Sequence, residues 1–508
     1  MNRRSVAAVG LLLLCGAVTV VTAGGKSEPA AAAGGSPMVL KLMRGEHAAQ
    51  AFKTGTPVLA EIEKRTGVRL QVSGVPSVDW SQKVKTMMAT ADIPDLLILD
   101  QTEAKSFFDS GIFLCVSDNY DKVPNVKRLV DANPQAKKMF SADGKMYTIP
   151  QFARVGLTLA QYPMIREDLM KKHGLKSPAT FQELSDTLRQ LKKLYPDSYP
   201  MSCRSGNVVQ MFSYAMGSGN GIYFDQDKGN RWTYGPVMPE YKEMLVYLNG
   251  LFKDGVLDPD YLSNKQQQWQ ERMSTGRSFF SYDNHTFFPN FTKALQKQDP
   301  NAAFGPMQTF TTSKGMRRSW LYSKYWTSSY AISAKVKDRG AVLKFMNWLY
   351  GDEGADVTNF GVEGRDYTKS GNEITIAPAL AQKHSADADP WRGYMSDIGA
   401  GLLAVAGYVD ERTQFAYLSA REKAVVDTIN QDPGMRSFMF TPVFNQTELD
   451  QLKNLQTKLD TTVGEAAHQF IMGEKPLADF DSWAASIIAA GKVQELEKIY
   501  NEAEARTK

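Results

Sequence analysis

The chain has 508 residues, 43% of them hydrophobic and 22% charged, the make-up of a globular protein longer than one core usually holds, so two lobes are expected. A formal net charge of +4, spread evenly along the chain, excludes the concentrated basic surface of a nucleic-acid binder. No apolar run reaches the roughly 20 residues that a membrane-spanning helix needs.

Residues 1–4 are basic, residues 6–21 are apolar with a leucine run at 11–14, and Val21-Thr22-Ala23 offers a cleavage site before Gly24. Residues 24–35 then turn small and polar. This order predicts a signal peptide over 1–23 and a flexible tether over 24–35, hence an exported protein. Cys15 leaves a second route open, that of a lipid-modified cysteine, although Leu14 is larger than the small residue such sites want.

Beyond the tether, 39–43 (VLKLM) reads as a strand, 57–66 as a helix stopped by Gly67, and 68–72 (VRLQV) as a strand with period two. A helix from Asp79-Trp80 through Met88 precedes the break Asp92-Ile93-Pro94-Asp95. The apolar run 96–99 then reads as a buried strand, followed by a helix over 103–109 that Gly111 stops. Strand and helix in alternation predict a mostly parallel sheet with helices on its faces.

Farther along, 143–150 is a turn feeding a strand and 158–162 is extended. Residues 166–194 are helical around a break at Pro178, with Thr180 and Glu183 forming a capping box. Helices follow at 241–252 and 266–274, strands at 278–282 and 330–333, a helix at 339–350, and helices dominate the last 60 or so residues, most clearly at 449–459 and 482–502.

The motifs of common chemistries are missing: there is no G-x-S-x-G, H-E-x-x-H, C-x-x-C or P-loop. Gly217-Ser218-Gly219-Asn220-Gly221 does not open a helix after a strand, and reads as a loop rather than a phosphate cradle. The five histidines have no ligand spacing. Asp225-x-Asp227-x-x-Asn230 is acidic enough for a calcium loop but lacks the bidentate glutamate, so a hairpin turn is the simpler reading. Neither a metal nor any other cofactor is expected. Cys115 and Cys203 could pair, but two free thiols are the preferred reading. A glycosidase pair of carboxylates is neither excluded nor nameable.

EIEKRTGVR (61–69), ATADIPDLLILD (89–100), DGKMYTIP (143–150), IREDLMKKHGLKSPATFQEL (165–184), YLNGLFKDGVLDPDY (247–261) and FMNWLYGDEGADVTNFGVEGRDY (345–367) resemble, in collinear order, bacterial extracellular solute-binding proteins of ABC importers. The last two are most similar to the large branch associated with oligosaccharides. The resemblance implies an α/β periplasmic-binding-protein fold of the second type, with two lobes joined by a hinge and a ligand cleft between them. On that basis lobe 1 is expected over 36–155 and 328–390, and lobe 2 over 156–327 and 391–508. It implies no enzyme activity, an oligosaccharide ligand captured by hinge closure, ABC permease subunits as partners, a monomer, and a place in the periplasm or on the outer face of the bacterial cytoplasmic membrane. A secreted carbohydrate-active enzyme, a binder of peptides or other polar solutes, and a sensor partner are the alternatives.

Sugar pockets combine ring faces with a few polar groups, so loop aromatics with polar neighbours are the candidates. Arg44, Glu46 and His47 follow the first strand, Trp80 precedes a helix, and Asp100 and Gln101 follow the buried third strand. Phe152 and Arg154 lie at the first crossover. Tyr282, Asp283, Asn284 and His285 form the strongest single patch. Trp320, Tyr322, Tyr325 and Trp326 cluster before the returning strand, and Trp391 and Tyr394 lie near the next crossing. Glu363 and Arg365 are candidates that could instead pair with each other on the surface. Phe345, Met346, Trp348 and Leu349 have helical spacing and read as core.

Overall fold

The computed structural model describes residues 36–508 apart from 48–49, 142, 156–160, 285–286, 313, 320–324, 388, 433, 437–438, 491 and 508, and without the side chains of 78, 102, 325–327, 416, 430 and 507. The expected signal and tether lie outside the described residues. Among those described, no helix is long and apolar enough to cross a membrane.

A six-stranded sheet organises the first core. Its order is Tyr408–Asp410, Thr148–Val155, Tyr325–Ile332, Leu96–Asp100, Met38–Glu46, Val68–Pro76. The burial patterns explain the sequence patterns. The edge strand Val68–Pro76 alternates buried and exposed residues over its first six positions, whereas Leu96 to Leu99 are all buried because both faces of an inner strand are covered. The sheet is more mixed than the alternation of strand and helix predicts. Met38–Glu46 runs parallel to both its neighbours, but Tyr325–Ile332 is antiparallel to both of its own. Helix Pro57–Thr66 ends as expected, with Gly67 at φ 72° and its N–H bonded to Glu63 O.

The second core is built around helices Phe181–Leu194, Val208–Ala215, Pro239–Lys253 and the 27-residue Gln446–Met472, with an antiparallel sheet ordered Phe280–Asn284, Gln161–Arg166, Phe304–Pro306. Thr180 and Glu183 form the predicted capping box, the hydroxyl accepting from Glu183 N at 3.2 Å while the carboxylate accepts from Thr180 N at 3.2 Å. Such a cap holds a helix start by about 1 kcal/mol. Cys115 and Cys203 are free, Cys203 being buried with its thiol pushed up to about 12 by desolvation.

One boundary falls differently from the expectation. Residues 391–410 pack with the first core, not the second: Trp391, Tyr394, Met395 and Ile398 of helix Pro390–Ile398 sit in its hydrophobic cluster, and strand Tyr408–Asp410 closes the first sheet against Thr148–Val155. The amphipathic spacing of that helix selects a buried face without saying which core receives it.

Candidate functional site

Because Met38–Glu46 is parallel to Val68–Pro76 and to Leu96–Asp100, their carboxyl ends share one edge of the first sheet. Strand ends and the helix starts that follow them at that edge form an open cavity of about 390 Å³ lined by Arg44, Glu46, His47, Ser77, Trp80, Asp100, Glu103, Ser328 and Leu403 among others. Pockets beyond the carboxyl ends of parallel strands are the general rule in such sheets. Five expected residues (Arg44, Glu46, His47, Trp80 and Asp100) therefore meet in one place.

The packing there is specific. The indole of Trp80 lies against the backbone of Gly45, where an added Cβ would stand 2.9 Å from Cγ of the ring. Arg44 is buried and donates to the carbonyls of Leu402 and Ala404 at 2.8 Å each, and to that of Gly45 at 3.2 Å. Desolvation lowers it to about 10, which leaves it charged at neutral pH. Glu46 accepts from Phe52 N at 3.2 Å. Burial and then the charge of Asp100 raise the Glu103 carboxyl, which Trp80 hydrogen-bonds; its Oε2 is buried without a partner. Partial burial, then Arg392 and Arg44, hold His47 below its ordinary value, so it is neutral at pH 7.

The second core carries two further cavities, of about 510 and 420 Å³, which share Gln210, Asn220 and Gly464. Tyr214, Tyr223, Phe224 and Tyr500 line the first of these, together with Gln456 and Asp460. Gln161, Arg204, Asn207 and His468 line the other. Aromatic faces beside amides and hydroxyls can hold both the C–H patches and the hydroxyls of a sugar ring. Gly464 lies within the helix Gln446–Met472, and a Cβ there would meet nothing within 4 Å.

The remaining expected residues are elsewhere. Asp283 is fully buried and is bonded by Arg204 through two contacts of 2.9 Å and by Asn207 Nδ2 at 3.0 Å. It thus positions two lining residues instead of lining the cavity itself. Tyr282 is buried with its hydroxyl 3.2 Å from Ser319 Oγ, and Asn284 follows half-buried. Gln101 is a buried clasp that donates to Met139 O and accepts from Thr148 and Ser329. Phe152, Trp391 and Tyr394 are core, Trp391 donating to Thr413 and Tyr394 to Phe360 O. Arg154 is drawn to Asp356 at 2.6 Å, with Asp352 and Asp410 nearby. Arg365 pairs with Asp366, not with Glu363, and both expected residues are exposed. His285, Trp320 and Tyr322 lie outside the described residues, as does the side chain of Trp326; of Tyr325 only the backbone, in its strand, is described.

Sequence reasoning missed Glu103, Arg204, Asn207, Gln210, Asp460 and Tyr500. One signal could have found part of this set. The run Gly217–Gly221 is indeed a loop, and its glycines permit close packing: a Cβ on Gly219 would stand 2.6 Å from the ring of Tyr223, and one on Gly235 only 2.2 Å from Gly219 O. That approach brings Asn220 to the cavity edge. The acidic run at 225–230 is the turn of hairpin Ile222–Asp225/Arg231–Tyr234. Asp227 is bonded by Arg318 and by Arg436 at 3.0 Å, so its charge is already met by protein cations. Among the described residues no cluster could hold a metal ion.

Residues 49–356 match the family model of bacterial extracellular solute-binding proteins. The chain is 23% identical over 481 residues to lipoprotein LipO of Bacillus subtilis (strain 168), with 90% of each chain covered. It is 22% identical over 477 residues to the polygalacturonan/rhamnogalacturonan-binding protein YtcQ of the same organism, with 88% of each covered. Among solved structures, the alginate-binding protein AlgQ2, crystallised without calcium ion, superposes with a TM-score of 0.74 at 20% identity, covering 92% of this chain and 98% of that one. The fold is that of the type II periplasmic binding proteins.

Proposed function

The chain belongs to the bacterial extracellular solute-binding proteins, and from that premise we propose that it captures an oligosaccharide outside the cytoplasm and delivers it to the membrane subunits of an ABC importer. In this reading it acts as an exported monomer, makes and breaks no covalent bond, and needs no cofactor. The observation that carries the proposal is the pairing of an aromatic shelf with hydrogen-bonding groups in both cores: Trp80 beside Glu46 and Asp100 in one, Tyr214, Tyr223, Phe224 and Tyr500 beside Gln210, Asn220 and Gln456 in the other. The names of two similar proteins, one binding polygalacturonan and rhamnogalacturonan and one alginate, support a saccharide as the ligand class.

In the proposed division, lobe 1 comprises 37–155 and 325–417, and lobe 2 comprises 161–319 and 418–507, with the chain crossing three times. A ligand held by both lobes stabilises the closed arrangement by the contacts that only that arrangement allows. Micromolar capture requires about 8 kcal/mol net, a sum that a few stacked rings and committed hydrogen bonds can reach. The test is a thermal-shift screen of the mature protein against neutral, amine-bearing and acidic oligosaccharides, followed by small-angle scattering with any ligand found. A rise in melting temperature and a smaller radius of gyration are expected. Release of smaller sugars from any oligosaccharide of the panel would favour the enzyme alternative instead.

A further inference from the structure

The two cavities of the second core adjoin along one helix. In the 27-residue helix Gln446–Met472, Gln456, Asp460, Gly464 and His468 follow one another at every fourth position. They form a stripe that winds slowly about the helix and extends about 18 Å along its axis. Gln456 and Asp460 line the aromatic cavity, His468 lines the other, and Gly464 lines both, together with Gln210 and Asn220. Glycine inside a helix costs stability relative to alanine, and a Cβ here would meet nothing within 4 Å, so packing does not demand it. What its missing side chain leaves is open passage from one cavity to the next.

The two cavities offer different chemistry. Gln456 Nε2 donates to the Tyr500 hydroxyl at 2.6 Å and so fixes that ring at the wall of the aromatic cavity. Among its described residues, the other cavity is lined by no Phe, Tyr or Trp. There Oδ1 of Asn207 is buried with no partner, while its Nδ2 is turned to Asp283 at 3.0 Å. Arg204 lies over the rings of Trp269 and Phe287, at 5.7 and 5.3 Å, and Asp283 and Gln266 take three of its five N–H groups. Tyr261 is buried, and its hydroxyl, 2.9 Å from His468 Nδ1, has no other partner among the described residues. Its proton therefore goes to Nδ1, and burial keeps the imidazole neutral, so Nε2 carries the ring hydrogen.

We infer that the second core holds two consecutive rings of one saccharide chain along this stripe, the first against the aromatic wall and the next among Asn207, Arg204 and His468, with Gly464 as the passage between them. This rests on the proposed saccharide-binding reading. A sugar hydroxyl both donates and accepts, so a space with an unpaired carbonyl beside N–H donors reads a ring by its hydroxyls, whereas aromatic walls read its C–H faces. The link between the two rings crosses the helix where the cavities meet, and a side chain at 464 would stand in its way. A stripe of about 18 Å is longer than one sugar ring. The first cavity, in the other core, takes at least one ring more when the lobes close, so the shortest ligand that fills the whole site has three residues. A shorter sugar leaves Asn207 Oδ1 without a partner, at a cost in affinity.

The experiment is calorimetric titration of the mature chain at pH 7 with malto-, cello-, xylo-, manno- and galacturono-oligosaccharide ladders of one to five residues. In any ladder that binds, affinity should rise about tenfold from the disaccharide to the trisaccharide, the worth of one or two added hydrogen bonds. Gly464→Leu should bring that ratio close to one. Gln210→Ala, which truncates an exposed position shared by both cavities, should lower it about threefold. Both variants are checked for a native melting transition. Binding that does not strengthen beyond the disaccharide overturns this inference and leaves the saccharide-binding reading intact; binding in no ladder overturns that reading, and this inference with it. A ratio that survives in both variants puts the third ring elsewhere and overturns the passage at Gly464.

Discussion

Lys138 and Glu504 meet at 2.7 Å, both almost wholly buried, although one lies in the 3-10 turn Pro134–Met139 beside the first sheet and the other in the last helix, Val493–Thr507. The ammonium also sits 6.0 Å from the ring of Trp232 and 5.7 Å from that of Phe224, and the indole N–H of Trp232 donates to the same carboxylate at 3.0 Å. The two cores are thus joined by an ion pair with its own aromatic housing. Removing one partner strands the other: Lys138→Met should cost about 3 kcal/mol in urea unfolding, while Lys138→Met/Glu504→Gln should recover most of that loss. If the single variant is as stable as the parent, the pair contributes nothing to the joint.

Gly45 and Trp80 allow a sharper test of the first cavity. Gly45→Ala places a methyl at 2.9 Å from the indole, so the ring must turn away from the strand. A drop in saccharide affinity of about tenfold is expected, of the size a displaced aromatic contact produces, with the circular-dichroism spectrum unchanged.

Gly464 should separate stability from binding. Ala at a helix-interior glycine with open space is worth about 0.5–1 kcal/mol, so Gly464→Ala should raise the melting temperature. Gly464→Leu pushes a larger side chain into the space between the two second-core cavities, and titration should show weaker binding without a lower melting temperature.

Glu240 makes a pH prediction. Burial pushes its carboxyl up, but Lys314 and Lys228 (3.0 Å) outweigh that and hold it at about 2, against 4.5 ordinarily. A carboxyl with a depressed folded pKa contributes its stability fully above pH 4.5 and loses it as pH falls toward 2. Both lysines are about half exposed, so solvent screening trims the contribution to roughly 2 kcal/mol. Glu240→Gln should therefore be less stable than the parent at pH 7, and the gap in denaturant midpoints should close as pH is lowered from 4.5 to 2.

Local pattern carried the reading where one element decides. The period-two run at 68–72, the doubly buried run at 96–99 and the Thr180–Glu183 cap are all properties of a single segment. Arg44, Glu46, Trp80 and Asp100 come from separate segments, and they meet because parallel strands deliver their carboxyl ends to a common edge. Long-range geometry was not legible. Nothing in Asp283 marks it as the anchor of Arg204, 79 positions earlier, and nothing in Trp391 or Tyr394 says that they fill the first core instead of facing a ligand. Glu103 looked like an ordinary first-turn acid of a short helix until that helix was set against the sheet edge.

The first sheet also sets a schedule for the nascent chain. Its inner strand Tyr325–Ile332 joins Leu96–Asp100 to Thr148–Val155, and its outer strand arrives only at Tyr408–Asp410. A ribosome that has finished residue 155 has therefore produced a three-stranded ribbon and the unpaired segment Thr148–Val155, and the strand that joins them begins 170 codons later. Until that strand arrives, the edges of Leu96–Asp100 and Thr148–Val155 that it will cover are open to pairing with other chains.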